Sequence, residues 1–312
     1  MISGRNFTNR YLDNLGIFGN RFSINDESFS EVYRVMKHIK GEFVVGFGGG
    51  RVLDISKMVA YLTQRKLILI PTAPTHDGLI SKNSVLITNG SKKSFPTKFP
   101  QKVIIPKDLW ESSGDLKKFG EMDVLANIVA LEDVSLATED INFKPETEYM
   151  KLSMMAVKYI LDSSIKDLAL ALLLSGLAME KSSRYCSGSE HELEKILTKN
   201  FGKKYYHGQL VGTSMLLASK VYEKYSTCLR TKKLFIDPKE LYYDIFDVMR
   251  KKDLLVYAMK PLKERRPIHR WLKEASRVRP ERYTLWNRLD SKNIKWKKII
   301  EEVMEDAKCC LS

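Results

Sequence analysis

Short apolar runs separated by a helical pattern characterise the first third of the chain. The run 42–47 is apolar and broken by a glycine, and 67–70 is a second apolar run that stops at Pro71. Runs of this length and branching predict buried strands. Between them, apolar residues recur at helical spacing from Val52 to Leu62. Strand, glycine turn, helix and strand in this order predict a βαβ unit with a parallel pair of strands.

The pattern predicts further strands at 84–87 and 102–105, and a helix over 28–39 in which Ser28 and Glu31 have the spacing of a capping box. After Pro106 the periodicity becomes helical, with helices predicted at 122–139, 146–161, 165–182, 189–199, 207–225 and 238–258. We therefore predict an α/β domain over residues 1–112 and an all-helical domain over residues 113–312.

The composition is that of a globular protein. The chain has 312 residues, of which 44% are hydrophobic, and no apolar stretch approaches the length of a membrane-spanning helix. The first five residues lack the apolar region of a secretory signal. Four cysteines without CxxC spacing indicate no disulfide framework. These features together predict a cytoplasmic protein.

Positive charge is concentrated near the end of the chain. The net charge is +14, and residues 250–298 hold 17 Lys and Arg against five Asp and Glu. Such a tract suits nucleic acid, an anionic membrane surface or a phosphorylated substrate, and it equally suits solvated helix faces. Its aromatic residues fit helix packing better than base stacking, so nucleic acid is not expected as a partner; they are Trp271, Tyr283, Trp286 and Trp296.

The turn after the first predicted strand is rich in glycine. Gly46-Phe47-Gly48-Gly49-Gly50 leads from the strand into the helix. Glycines let the backbone approach a diphosphate closely, and free amides at a helix start donate to it. A tight turn without a ligand is the alternative, and the turn by itself identifies no nucleotide.

Several segments together resemble one enzyme family. Gly48–Lys57 and the Pro-Thr-Ala-Pro-Thr-His-Asp-Gly run at 71–78 closely resemble the sn-glycerol-1-phosphate dehydrogenases. That family belongs with the iron-type alcohol dehydrogenases, glycerol dehydrogenases and dehydroquinate synthases. Further segments resemble it at 123–127, 187–191, 207–208 and 279–285. The resemblance covers residues 42 to 290, most of the chain.

The resemblance implies a metal site. Its ligands would be Asp123, His191 and His207, and the ion would be Zn²⁺, with Ni²⁺ or Fe²⁺ as alternatives. Both histidines fall in the first turn of a predicted helix, and Asp123 is expected to open another. One carboxylate and two imidazoles leave positions on zinc open for a substrate, which is the pattern of a catalytic site.

The resemblance also implies the remaining roles. The cofactor is NAD(P)H, and its contacts would be Gly48, Gly49, Gly50, Asp54, Thr72 and Thr75. Asp77 and Lys57 are implied as catalytic residues. The candidates for the substrate phosphate are Lys57, Arg279 and Arg282, with a helix-surface salt bridge as the alternative for the two arginines.

The implied reaction is reduction of dihydroxyacetone phosphate to sn-glycerol 1-phosphate, as in archaeal-type phospholipid synthesis. The alternative is a non-catalytic paralogue that binds a polyanionic partner through residues 250–298. A third interpretation is a cyclase of the dehydroquinate synthase type, against which Thr75-His76-Asp77-Gly78 argues.

The chain departs from the family at its start. About 47 residues precede the glycine turn, roughly half the usual number, and Leu15-Gly16-Ile17-Phe18 is too short to predict a buried strand. The nucleotide-binding domain is therefore expected to be shortened and to lack its first βα unit. This would weaken cofactor binding and expose a strand edge, which gives a reason to expect a homo-oligomer.

Overall fold

The computed structural model describes residues 1–5, 7–16, 20–162, 164–229 and 235–311. Seven strands occupy its first third: β1 (Ile2–Ser3), β2 (Phe22–Ser23), β3 (Phe43–Gly48), β4 (Lys66–Pro71), β5 (Asn83–Thr88), β6 (Ser91–Pro96) and β7 (Lys102–Val103). Five of them form a sheet in the order β2-β1-β3-β4-β7, and every pairing in it is parallel. The predicted parallel pair, β3 and β4, lies near the centre of this sheet.

The first βα unit is present, which corrects the expectation that the sheet lacks it. Helix α1 (Phe7–Asn14) connects β1 to β2, and β1 pairs with β3. The unit escaped prediction because both strands have only two residues, too few to show a periodic pattern; part of Leu15–Phe18 lies outside the described residues. Since β1 covers the β3 edge, that edge gives no reason to expect self-association.

Helix α2 (Phe29–Met36) starts where the sequence predicts, but its capping box is only half formed. The Ser28 hydroxyl accepts a hydrogen bond from the Glu31 amide. The Glu31 carboxylate accepts from the Asn25 amide and pairs with Arg34 instead of returning to Ser28. Helix α3 (Gly50–Leu62) then follows β3 and packs against the central strands.

Strands β5 and β6 form a separate antiparallel hairpin. The strand predicted at 84–87 is therefore confirmed, but it does not extend the parallel sheet. Asn89 and Gly90 both have positive φ, as the tight hairpin turn between two strands requires.

All described elements after β7 are helical. The α-helices are α4 (Lys107–Glu111), α5 (Leu116–Leu125), α6 (Asn127–Asp140), α7 (Thr147–Leu161), α8 (Ile165–Ala178), α9 (Ser189–Phe201), α10 (His207–Lys224), α11 (Ser226–Leu229), α12 (Pro238–Lys251), α13 (Leu255–Ala258), α14 (Ile268–Trp271), α15 (Leu285–Arg288) and α16 (Trp296–Leu311). This confirms the predicted change of character. None of the described helices has the length and apolarity that a membrane crossing requires.

Three predicted helices have different bounds. The helix predicted over 122–139 is in fact two helices that meet at Ala126. Asp123 therefore lies in the last turn of α5 and does not begin a helix. The predicted 238–258 breaks after α12, where Asp253 has a positive φ. The predicted 165–182 ends at Ala178. The apolar residues keep their helical spacing across each break, so the sequence pattern did not reveal where the helices end.

One buried apolar cluster contains residues from both predicted domains, among them Leu69 of β4 and Met215 of α10. The division at residue 112 stays a prediction. The tryptophans at 286 and 296 are each 1% exposed, with ring centroids 5.3 Å apart, so they pack in the core as the sequence analysis favoured.

Candidate active site

The glycine turn lies at the carboxyl end of β3, and its glycines meet different surroundings. A Cβ on Gly48 would lie 2.6 Å from the Val52 side chain, so this glycine allows α3 to approach the strand closely. A Cβ on Gly49 would meet no atom of the residues that the structure describes within 4 Å. The space beside Gly49 is therefore open to a ligand.

The start of α3 has free donors at this open space. Gly49 caps the helix without a side-chain hydrogen bond, and its carbonyl accepts from the amides of Val52 and Leu53. Within the described part of the chain, the first-turn amides of Gly50 and Arg51 have no backbone or side-chain acceptor. Amides of this kind at a helix start favour an anion such as a diphosphate. The turn therefore fits the dinucleotide that the sequence analysis assigned to it.

The segment after β4 lies beside the turn. The Thr72 amide donates to the Gly48 carbonyl over 3.1 Å. A Cβ on Gly50 would come within 2.9 Å of the His76 imidazole. Carboxyl ends of neighbouring parallel strands form the usual ligand crevice of such sheets. Thr72 and Thr75 are both half-buried at this crevice, and their contacts with a cofactor stay predictions.

Three side chains from three helices converge next to this crevice. Asp123 ends α5, His191 lies in the first turn of α9, and His207 begins α10. The Asp123 Oδ1 atom is 3.5 Å from His191 Nε2 and 3.3 Å from His207 Nε2. One ligand atom of each residue lies within 4.8 Å of the others, a spacing that can hold a metal ion. The structure thus brings the predicted ligands together.

A second layer of carboxylates orients both imidazoles. His191 Nδ1 is 2.8 Å from Glu190, and His207 Nδ1 is 3.0 Å from Glu194. Carboxylates on the Nδ1 side leave both Nε2 atoms directed at Asp123, which is how metal-bound histidines are commonly held. Sequence reasoning missed both glutamates. Their signal was the charge pattern of Glu190-His191-Glu192-Leu193-Glu194 at a helix start.

The Asp123 carboxylate supplies a direct test of the fit to a cation. Asp123 is 1% exposed; its Oδ2 atom accepts from the Asp77 amide over 2.9 Å, whereas Oδ1 has no hydrogen-bond partner among the described residues. An orphaned buried carboxylate oxygen that faces two imidazoles is costly unless a cation or proton compensates it. The donor set therefore fits a divalent ion of the zinc, iron or nickel type.

The electrostatics of the three ligands agree with this fit. Burial opposes ionisation of Asp123, but His207 and His191 outweigh it and hold the pKa of this carboxyl well below its usual range. Burial likewise opposes charge on His207, but Glu194 and Asp123 raise its pKa well above the usual value. The carboxylates thus stabilise positive charge at the position where the three ligands meet.

Asp77 connects this centre to α8. Its Oδ2 atom accepts a 2.6 Å hydrogen bond from Ser175, whose hydroxyl accepts in turn from Asn127. Burial and the nearby Asp123 raise the pKa of Asp77 to about 7. The structure places Asp77 beside the metal ligands, and its catalytic role stays a prediction.

His76 is a further residue of the site that the sequence analysis did not assign. Its ring centroid is 5.7 Å from that of His207, so it lies between the glycine turn and the metal ligands. Burial and His207 lower the pKa of His76 to about 3, so the imidazole is neutral.

Lys57 does not lie open to a substrate phosphate. Its side chain is fully buried, and its ammonium donates to the carbonyls of Gly78 and Asn83 and lies 3.7 Å from Asp54. A phosphate would have to displace these contacts. Lys57 therefore links α3 to the segment after β4. These contacts give no support to the predicted contact between Lys57 and the substrate phosphate. Catalysis by Lys57 and cofactor binding by Asp54 stay predictions.

Arg279 and Arg282 reach the loop that leads into α9. Both donate to the Ser187 carbonyl, and neither forms a salt bridge with any residue that the structure describes. The alternative for these arginines, a helix-surface salt bridge, is therefore absent among the described residues.

Residues of the basic tract 250–298 line a surface cavity of about 450 Å³ elsewhere on the protein. The lysines that line it are Lys273, Lys292, Lys295, Lys297 and Lys298.

Comparison with known proteins agrees with this geometry. Residues 13–112 match the family described as iron-containing alcohol dehydrogenase. The chain is 30% identical to glycerol-1-phosphate dehydrogenase [NAD(P)+] of Methanothrix thermoacetophila over 79% of its own length and 69% of that protein. It is 30% identical to the enzyme of that name from Metallosphaera sedula, of which the match spans 61%.

The same fold occurs in a solved structure. A probable glycerol dehydrogenase from Sinorhizobium meliloti 1021 superposes with a TM-score of 0.71, covering 98% of this chain and 89% of that one at 18% identity. The fold, the converging ligands and the extent of the match to the Methanothrix enzyme lead to one conclusion. This chain belongs to the glycerol-1-phosphate dehydrogenase family of metal-dependent oxidoreductases.

Proposed function

We propose that this protein reduces dihydroxyacetone phosphate to sn-glycerol 1-phosphate with NADH or NADPH. The main support for the proposal is the buried Oδ1 atom of Asp123, which faces His191 and His207 beside the glycine turn and has no hydrogen-bond partner in the described parts of the chain. The relatives' name supports the substrate and cofactor. The match spans less than two thirds of the Metallosphaera enzyme, so activity, substrate and cofactor are proposed here for this chain.

Each part of the site has its own task in this reaction. A bound divalent ion would supply polarisation of the substrate ketone, and a bound reduced nicotinamide would supply the hydride. Asp123, His191 and His207 would hold the ion, and the glycine turn with the α3 amides would bind the cofactor diphosphate. A cofactor bound in the crevice between β3 and β4 would thus lie next to the residues that would hold the ion.

The residues around the ligands fix their positions. The Asp77 amide holds one oxygen of Asp123, while Ser175 holds the Asp77 carboxyl. The neutral imidazole of His76 lies between the glycine turn and His207. These contacts would hold the Asp123 carboxylate in place beside the two imidazoles.

The test is turnover by purified protein. Metal-free and Zn²⁺-loaded samples are given dihydroxyacetone phosphate with NADH or NADPH, and cofactor oxidation is followed by absorbance. We expect zinc-dependent oxidation and a product that an sn-glycerol-3-phosphate dehydrogenase does not accept. A folded, zinc-loaded protein that oxidises neither cofactor would overturn the proposal. Salt-sensitive binding to heparin in that sample would favour the polyanion-binding alternative through residues 250–298.

Gly49→Ala is expected to weaken binding of NADH and NADPH by about tenfold or more without changing the melting temperature. The added methyl meets no atom of the described chain within 4 Å, but it would occupy the space assigned to the diphosphate. Gly49 has a φ of −81°, which alanine adopts without strain. Cofactor fluorescence titration and thermal unfolding measure the two effects; unchanged cofactor affinity would show that the diphosphate binds elsewhere.

A further inference from the structure

A buried carboxylate that is not a metal ligand lies at the start of α9. Asp133 of α6 is 1% exposed, and its carboxylate accepts three hydrogen bonds. The Ser189 amide donates to Oδ2, while the Leu285 amide and the Tyr222 hydroxyl donate to Oδ1 over 2.8 and 2.9 Å. Asp133 thus joins α6 to the first residue of α9, to the first residue of α15 and to α10.

This carboxylate is not paired with a cation of the described chain. No Lys, Arg or His that the structure describes lies within the 4.0 Å of an ion pair from Asp133. Burial and the charge of Glu190 raise the pKa of Asp133 to about 7, and the amides of Ser189 and Leu285 oppose this rise. Burying the carboxylate therefore costs folding free energy, and costs of this kind are commonly found at functional sites.

Asp133 supplies the cap that α9 lacks in its own sequence. The N-cap residue is Gly188, which has no side chain to accept from the first-turn amides. The Asp133 carboxylate accepts from one of these amides instead, and a negative charge at this end of a helix is favourable. A Cβ on Gly188 would lie 2.3 Å from Asp133 Oδ2, so the glycine allows the carboxylate to approach.

The turn that Asp133 caps carries a metal ligand. His191 is the third residue of α9, two positions after Ser189. Between them, Glu190 uses one oxygen to accept from the Gly188 amide over 2.7 Å, and the same oxygen lies 2.8 Å from His191 Nδ1. A shift of the capped turn would therefore move both the imidazole and the carboxylate that orients it.

We propose that Asp133 is a positioning residue for the metal centre: by capping α9, it fixes His191 opposite Asp123, where the two can share a divalent ion. The Tyr222 hydroxyl and the Leu285 amide hold the carboxylate in turn. This inference rests on the proposed function only for the presence of the ion, and it assigns to Asp133 no contact with the ion or the substrate.

The experiment compares zinc affinity in two variants that convert a carboxylate to an amide. Asp133→Asn keeps one acceptor oxygen, so the donors on the other side lose theirs, and zinc affinity is expected to fall by about tenfold or more. Glu132→Gln is the matched control, because Glu132 is the neighbouring residue, is also 1% exposed and accepts from the amides of Phe235 and Ile236. It should keep wild-type zinc affinity even where its melting temperature falls.

Cobalt substitution separates positioning from a general loss of stability. Bound Co²⁺ reports the geometry of its ligands through its visible absorption, so Asp133→Asn should change this spectrum and Glu132→Gln should not. Tyr222→Phe keeps the Asp133 charge and should cause a smaller change of the same kind, which preserves the test where Asp133→Asn does not fold. Its control is Tyr242→Phe, since the Tyr242 hydroxyl donates to Asp306 of α16.

These measurements require neither the ketone nor the cofactor. A protein that binds zinc but does not reduce dihydroxyacetone phosphate would contradict the proposed function and leave this test unaffected. Wild-type zinc affinity and an unchanged cobalt spectrum in folded Asp133→Asn would overturn the inference. Equal losses of zinc affinity in Asp133→Asn and Glu132→Gln would also overturn it, as would a wild-type protein that binds neither ion.

Discussion

His191→Ala is expected to remove the bound divalent ion and to lower kcat/KM for dihydroxyacetone phosphate by about 10³-fold. The substitution deletes one of three ligands, and the polarisation that the ion supplies is worth several kcal/mol of transition-state stabilisation. It also removes the imidazole that lies 2.8 Å from the buried Glu190 and 3.5 Å from the buried Asp123. Metal content by mass spectrometry and steady-state rates measure the two losses in one preparation.

Two further variants serve as comparisons for His191→Ala. His38→Ala makes the same change at an exposed histidine far from the site in sequence and should keep both metal and rate. Glu194→Gln retains all three ligands but removes the charge that orients His207, so metal affinity is expected to fall by about 10–100-fold. Full metal content in His191→Ala would show that the ion binds through another set of residues.

The sequence predicted the kinds of residue in the site better than it predicted their arrangement in space. The glycine turn can be recognised in the sequence because a predicted strand and a predicted helix flank it. The metal ligands are single residues separated by long stretches of chain, and only the family resemblance assembled them. Where a predicted role disagreed with the structure, the reason was burial of the side chain. Lys57 stands in a motif next to the glycine turn, yet nothing in the pattern shows that its amine meets carbonyls inside the fold.

The fold was predictable where elements were long. Strands β3 and β4 and helix α10 were predicted nearly to their ends, because six or more residues suffice to display a period. Strands β1 and β2 owe their existence to pairing with neighbours distant in sequence, since two residues carry no pattern. The turn at Asn89-Gly90 did carry a hairpin signal, and attention to it would have separated β5 from the parallel sheet.

Gly208→Ala is expected to destabilise the protein by about 3 kcal/mol and to weaken metal binding. The new Cβ would lie 2.1 Å from the Phe119 carbonyl oxygen and 3.0 Å from that of Thr75. Both contacts are backbone atoms, which cannot turn aside as a flexible side chain can. Because His207 is the preceding residue, any shift of α10 that relieves the clash also moves a metal ligand. Chemical denaturation and zinc titration measure the two effects.

Gly120 of α5 allows a similarly close backbone contact. A Cβ on Gly120 would lie 2.1 Å from the Pro74 carbonyl oxygen, so Gly120→Ala should also lower both stability and zinc affinity. Gly49→Ala is the matched control: it adds the same methyl where the structure has room and should leave stability and zinc affinity unchanged. Wild-type zinc affinity in a destabilised Gly208→Ala would contradict this prediction. If the prediction holds, close backbone contact of α5 and α10 with the segment after β4 is what brings the metal ligands together.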